Sequence, residues 1–151
     1  GGRQTDFDGD ETDGVDETLC LYDGPLSDDT VWAMLQRVPE GVRVWMVTDC
    51  CNSGSNYRAA PPHDYARGIS TWWRRVWHEP DLLHWGAAKD NSAAIGSAAA
   101  GGFFTRALRT TYTPGVSYAD WFAAAKEAVA GKQVPVMNYT GEDFADREAW
   151  R

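Results

Sequence analysis

The sequence predicts a layered α/β fold, and three observations carry that prediction. Residues 42–48 and 82–88 are short runs dense in apolar and β-branched side chains, as central strands are. Val31, Met34, Leu35 and Val38 recur at helical spacing between them, and Trp121, Phe122, Ala125 and Val129 do so after them. Strands that alternate with amphipathic helices pack as a sheet covered by helices.

Each element has its own signal. Residues 1–25 are rich in Asp and Gly and read as loop. Ser27 offers an N-cap, Asp28 and Asp29 suit a first helical turn, and Pro39 with Gly41 ends that helix. The run 42–48 reads as a strand buried on both faces. Residues 52–80 are irregular, with Pro61 and Pro62 followed by a patch of Trp72, Trp73 and Trp77 that reads as core or as a partner surface. After the strand at 82–88, residues 89–101 form an Ala/Gly/Ser loop. Phe103, Phe104, Ala107 and Leu108 make one helical face; Ser117 caps a further helix, which Gly131 stops. A short strand at 134–137 is tempered by Pro135. There is no internal repeat and no linker, so residues 1–151 read as one domain.

Composition narrows the function. A net charge of −8 leaves no basic stripe to neutralise phosphates, which argues against a nucleic-acid partner. No apolar run approaches the roughly 18 residues of a membrane span. Three cysteines cannot pair without a remainder, which fits a reducing, cytoplasmic setting. The acids are concentrated: residues 1–29 hold ten Asp or Glu against Arg3 alone. Such a block binds a cation, attracts basic substrates or is simply solvated.

The stretch Val47-Thr48-Asp49-Cys50-Cys51-Asn52-Ser53-Gly54-Ser55 carries the chemistry. Adjacent cysteines are badly spaced for a tetrahedral zinc site, and His63, His78 and His84 supply no paired-ligand pattern. Cys50 reads as a small apolar residue at a strand end. Cys51 stands just past a hydrophobic strand and before a small-residue turn, where α/β folds present functional groups. It reads as a nucleophile or as a second packed thiol. Asn52, Ser53 and Gly54 permit a tight turn whose backbone N–H groups, Cys51's among them, converge as an oxyanion hole requires.

This stretch resembles the nucleophile segment of metacaspases and their bacterial relatives in the caspase–hemoglobinase clan, whose pattern is Asp-Ser-Cys-His-Ser-Gly after a hydrophobic strand. Cys50 replaces the usual Ser and Asn52 the usual, non-catalytic His. The resemblance continues in order along the chain. It includes the acidic segment 9–19, the Leu26-Ser27-Asp28-Asp29 helix start, the strand end at Trp85 to Asn91, the helix at 102–108, and the segment Gln133-Val134-Pro135-Val136. It implies a caspase-like three-layer α/β/α fold with a central, mostly parallel sheet, of which this chain supplies the later part.

The resemblance also implies roles. Cys51 would be the nucleophile of a Cys-His dyad, with the histidine in a Ser-Gly-His-Gly-Gly-like segment immediately upstream of Gly1. The first half of the fold would then come from outside this chain, on the same or a separate polypeptide. Asp49 and Asp90 would line an acidic pocket for Arg or Lys before the cleaved bond, and Trp85 would wall that pocket or lie in the core. The later acids of the family's pocket loop are replaced here by Asn91 and Gly96. A calcium site in many relatives implies Asp13, Asp28 and Asp29 as ligands; the last expected acid falls near Arg58, with Asp64 farther on. An EF-hand at Asp6, Asp8, Asp10 and Glu17 fails, because its sixth position is Glu11 and not Gly. The expected activity is cysteine endopeptidase action on protein or peptide substrates. The alternative is a catalytically inactive caspase-like interaction module.

Overall fold

The computed structural model describes residues 1–6, 14–54, 80–97, 99, 101–141 and 143–149. Asp13, His63, His78 and the tryptophans at 72, 73 and 77 lie outside them.

The central sheet has the order β4-β5-β8: β4 (Arg43–Thr48), β5 (Asp81–Gly86) and β8 (Val136–Tyr139). β4 and β5 run parallel, with Arg43 opposite Asp81 and Thr48 opposite Gly86. β8 runs antiparallel to β5, with Gly86 opposite Val136. The strand period of two divides the side chains between the faces. Val44, Met46 and Leu82 face α1 (Asp28–Leu35), where Val31 and Leu35 bury against them. Trp45, Leu83 and Trp85 face the opposite way. There they meet α2 (Phe103–Thr111) and α3 (Tyr118–Ala128) through Phe104, Ala107, Tyr118, Trp121 and Phe122. A sheet with helices on both faces is the three-layer α/β/α arrangement expected from the sequence.

The helix starts follow their caps. Ser27 Oγ accepts from Thr30 N at 3.3 Å, and Ser117 Oγ accepts from Asp120 N at 3.1 Å. Each cap satisfies one of the orphaned N–H groups of a first turn.

Three expectations change. Residues 1–25 are not all loop: β1 (Gly2–Thr5), β2 (Val15–Cys20) and β3 (Pro25–Ser27) form an antiparallel sheet. Its acids disguised it. Glu17 accepts from Arg3 Nη2 at 3.2 Å and Asp16 from Gln4 Nε2 at 2.9 Å, so strand pairing lets two carboxylates be buried. Within 89–101 a two-strand pair forms, β6 (Gly96–Ser97) with β7 (Gly101–Gly102). Finally, the strand buried on both faces is β5, from Leu82 to Gly86, and not β4. β4 is an edge of its sheet among the described residues, and Val47 on it is exposed.

Trp85 is the centre of the aromatic layer. It is 0% exposed, and its ring centroid lies 4.9 Å from that of Trp45, 5.2 Å from Trp121, 5.6 Å from Phe122 and 5.9 Å from Tyr118. Trp85→Ala should therefore lower the unfolding free energy by about 3–5 kcal/mol, measured by urea denaturation, as large-to-small core substitutions do.

Candidate active site

The parallel register of β4 and β5 ends both strands at one edge of the sheet, and the cysteine turn begins there. Ala87 N donates to Thr48 O at 2.9 Å, which extends the pairing by one step. The chain then turns through Cys51 and Asn52 into Ser53, which is completely buried. Ser53 Oγ accepts from Ala88 N at 3.0 Å and donates to Ala88 O at 3.1 Å. One hydroxyl thus satisfies both backbone groups of a buried residue on the neighbouring loop. The close approach requires a glycine: any side chain at Gly86 would collide with the Ser53 carbonyl.

Asn52 completes the turn. Its φ of +50° is left-handed, a conformation that asparagine tolerates better than most residues. Its N–H donates to Ser92 O at 3.1 Å and its Oδ1 accepts from Asn91 N at 3.1 Å. The residue that departs from the family pattern is therefore a positioned part of the turn.

Cys51 opens onto a cavity of about 450 Å³, lined also by Gly1, Asp49, Cys50, Ala94 and Gly102. Cys51 Sγ is 3.9 Å from Ala94 O, a weak contact that leaves the sulfur loosely held. Burial raises the Cys50 thiol above its ordinary pKa, which suits a packing role. Gly1 lies against the turn: a side chain there would strike the Cys51 carbonyl and come within 3.2 Å of Cys50 Sγ.

Asp49 stands in the same cavity wall. Its Oδ2 accepts from Thr105 N at 2.8 Å and from Thr105 Oγ1 at 2.7 Å, at the start of α2. Its Oδ1 is buried with no hydrogen-bond partner. Asp90 lies elsewhere, against Gly54 at the far end of the turn: a Cβ on Gly54 would sit 2.7 Å from its Oδ1. The structure does not bring Trp85 to the cavity: of the two expectations, pocket wall or core, its burial in the aromatic layer matches the core.

His84 is completely buried, and its Nε2 is 2.8 Å from Thr48 Oγ1. Burial lowers its pKa to about 3, so it remains neutral and packed near the strand ends.

A second acidic constellation lies at the start of α1. Asp16, Asp28 and Asp29 each place a carboxylate oxygen within 4.8 Å of the others. Asp28 and Asp16 are 2% and 3% exposed, and Asp28 Oδ2 and Asp16 Oδ1 have no hydrogen-bond partner. Sequence reasoning did not name Asp16, and the Asp13 it named lies outside the described residues. The available signal was that Asp16 alternates with Glu17 along a strand, so it takes the opposite face. Burial, then repulsion from Asp29, pushes Asp28 up to about 7.

The fold and site define a class, a three-layer α/β/α domain that presents a cysteine at the end of a parallel strand. The comparisons place it more narrowly. Residues 1–59 match the family described as metacaspase, peptidase C14 domain. Metacaspase-1 of Arabidopsis thaliana is 43% identical over 60 residues, which cover 36% of this chain and 16% of that protein. Metacaspase-1B of Aspergillus oryzae is 34% identical over 108 residues, covering 68% of this chain and 24% of that protein. A crystal structure of a protein from Geobacter sulfurreducens superposes with a TM-score of 0.67 at 27% identity, over 98% of this chain and 66% of that one. The chain is similar to the metacaspases, a caspase-like cysteine peptidase family, and it spans a small part of the curated relatives' length.

Two predictions follow from this geometry. Ser53→Ala strands the buried N–H of Ala88 and should cost about 1–3 kcal/mol in chemical denaturation. In chelator-treated protein, Asp28 has a folded pKa of about 7 against an ordinary 3.8, so its protonated form favours the fold. Its contribution is complete below pH 3.8 and is lost as pH rises through about 7. The unfolding midpoint of Asp28→Asn should therefore gain on that of the parent across this window.

Proposed function

We propose that this chain is the nucleophile-bearing part of a cysteine endopeptidase that hydrolyses peptide bonds after Arg or Lys. The observation that carries the reading is the shared cavity of Cys51, Asp49 and Gly1 at the end of β4. Gly1 lies against the Cys51 carbonyl, so chain preceding it would emerge beside the cysteine turn, where a Cys-His dyad needs its histidine. His84 does not compete for that role, because it is buried and bonded to Thr48.

In this mechanism the upstream histidine takes the Cys51 proton, and the thiolate attacks the carbonyl carbon of the scissile bond. The oxyanion is held by backbone N–H groups at the turn, that of Cys51 included. The histidine then protonates the leaving amine, and the thioester is hydrolysed by water that the same histidine activates. Asp49 supplies the carboxylate that pairs the substrate cation, and Asp90 adds negative potential from the other end of the turn. The earlier part of the fold would pack along β4, an edge strand among the described residues, on which Val47 is exposed.

A divalent cation of the calcium type fits the second acidic cluster. Three convergent carboxylates, two with orphaned buried oxygens, offer the hard oxygen donors that calcium prefers. Asp16, Asp28 and Asp29 would hold the ion; Asp13 lies outside the described residues. The ion would neutralise mutual repulsion and fasten the start of α1 to β2.

A chloromethylketone ending in Arg should label Cys51 in protein that includes the segment preceding Gly1. Cys51→Ala should lose labelling and lower kcat/KM by at least about 10³-fold. Absence of both labelling and cleavage in the parent protein would leave the non-catalytic interaction module as the better account. Calcium should raise the unfolding temperature of the parent, and Asp16→Asn should abolish that rise.

A further inference from the structure

The contacts of Asp49 point beyond its identity as a pocket acid. The N-cap position of α2 is Gly102, which has no side chain to cap the helix. The cap comes from another element: Asp49 Oδ2 takes both the N–H and the hydroxyl of Thr105. Two hydrogen bonds to one oxygen, from donors of one residue, fix the carboxylate as a single bond would not. Gly102 permits this, because a Cβ there would collide with Asp49 Oδ2 and come within 2.8 Å of Oδ1. The second oxygen is left out of water and without a partner, on a residue in the wall of the Cys51 cavity. A buried carboxylate oxygen left unsatisfied is costly, and a guanidinium or ammonium group relieves that cost.

We infer that Thr105 and Gly102 are specificity-positioning residues: they clamp Oδ2 of Asp49 on the start of α2 and so reserve Oδ1 for the cationic side chain of the substrate. The inference rests on Asp49 being the pocket acid proposed above. It assigns discrimination between charged and neutral side chains to a helix that does not itself bear the nucleophile. It also explains why the β6–β7 pair runs straight into α2 with glycine at the junction: the carboxylate occupies the space of a side chain.

The test compares matched peptides with Arg or its neutral near-isostere citrulline before the cleaved bond, using protein that includes the segment preceding Gly1. The parent protein should prefer Arg, and Asp49→Asn should remove the preference. Thr105→Val keeps the shape and the N–H but deletes the hydroxyl. It should lower the Arg-to-citrulline ratio of kcat/KM about tenfold, mainly through KM for the Arg peptide, with kcat changed by less than about twofold. Thr105→Ser should restore the ratio, and Gly102→Ala should lower it. Unfolding midpoints separate these effects from loss of fold, and Thr105→Ala replaces the valine variant if valine unfolds the protein. An unchanged ratio in Thr105→Val, or a serine variant as impaired as valine, overturns the inference while the pocket reading stands. A preference for Arg that survives Asp49→Asn overturns the pocket reading and this inference together.

Discussion

The in-register parallel pairing of β4 with β5 is the constraint on which the site depends. It carries Thr48 and Gly86 to the same edge, so the two following loops leave the sheet side by side. Ser53 then binds both backbone groups of Ala88, and Asn52 binds the backbone of Asn91 and Ser92. A loop segment that enters a protein interior must find partners for its polar backbone, and here each loop satisfies the other. Cys51 is held between these fixed points, so its position is set by backbone geometry more than by contacts of its own sulfur.

The same economy recurs in how carboxylates are used. Asp16 and Glu17 are buried on a strand because Gln4 and Arg3 face them across the ladder. Asp49 caps a helix that its own sequence leaves uncapped. Asp28 is buried beside Asp29 and Asp16, where charges of one sign accumulate. In an acidic chain these are the places where negative charge is confined, and confined charge is what binds cations.

The wall behind the site is aromatic. Trp45, Trp85, Trp121 and Tyr118 pack edge to face or tilted, arrangements that aromatic rings prefer over face-to-face stacking. Trp121 Nε1 donates to Leu108 O at 2.9 Å, which ties α3 to α2 within this layer. α2 is thereby held at both ends, by the aromatic layer behind it and by Asp49 at its start.

Much of the architecture was legible in the sequence. Ser27 and Ser117 announce their helices because capping is local chemistry, and residues 42–48 and 82–88 announce strands by apolar density. The order of short motifs around Cys51 carries the resemblance to metacaspases, whose family model matches residues 1–59. What remained hidden depended on partners distant in the chain. The β1–β2 strands looked like acidic loop, because only cross-strand pairing makes their carboxylates tolerable inside. Trp85, adjacent to a predicted pocket loop, turned inward because strand alternation put it on the aromatic face. Asp16 joined Asp28 and Asp29, and Thr105 met Asp49, across separations that local patterns do not encode. The sequence by itself determined the capped helices, the two apolar strands and the small-residue turn that carries Cys51, whose signals are local. Only the tertiary structure decided which carboxylates share a site, because that depends on how separate strands and helices come together.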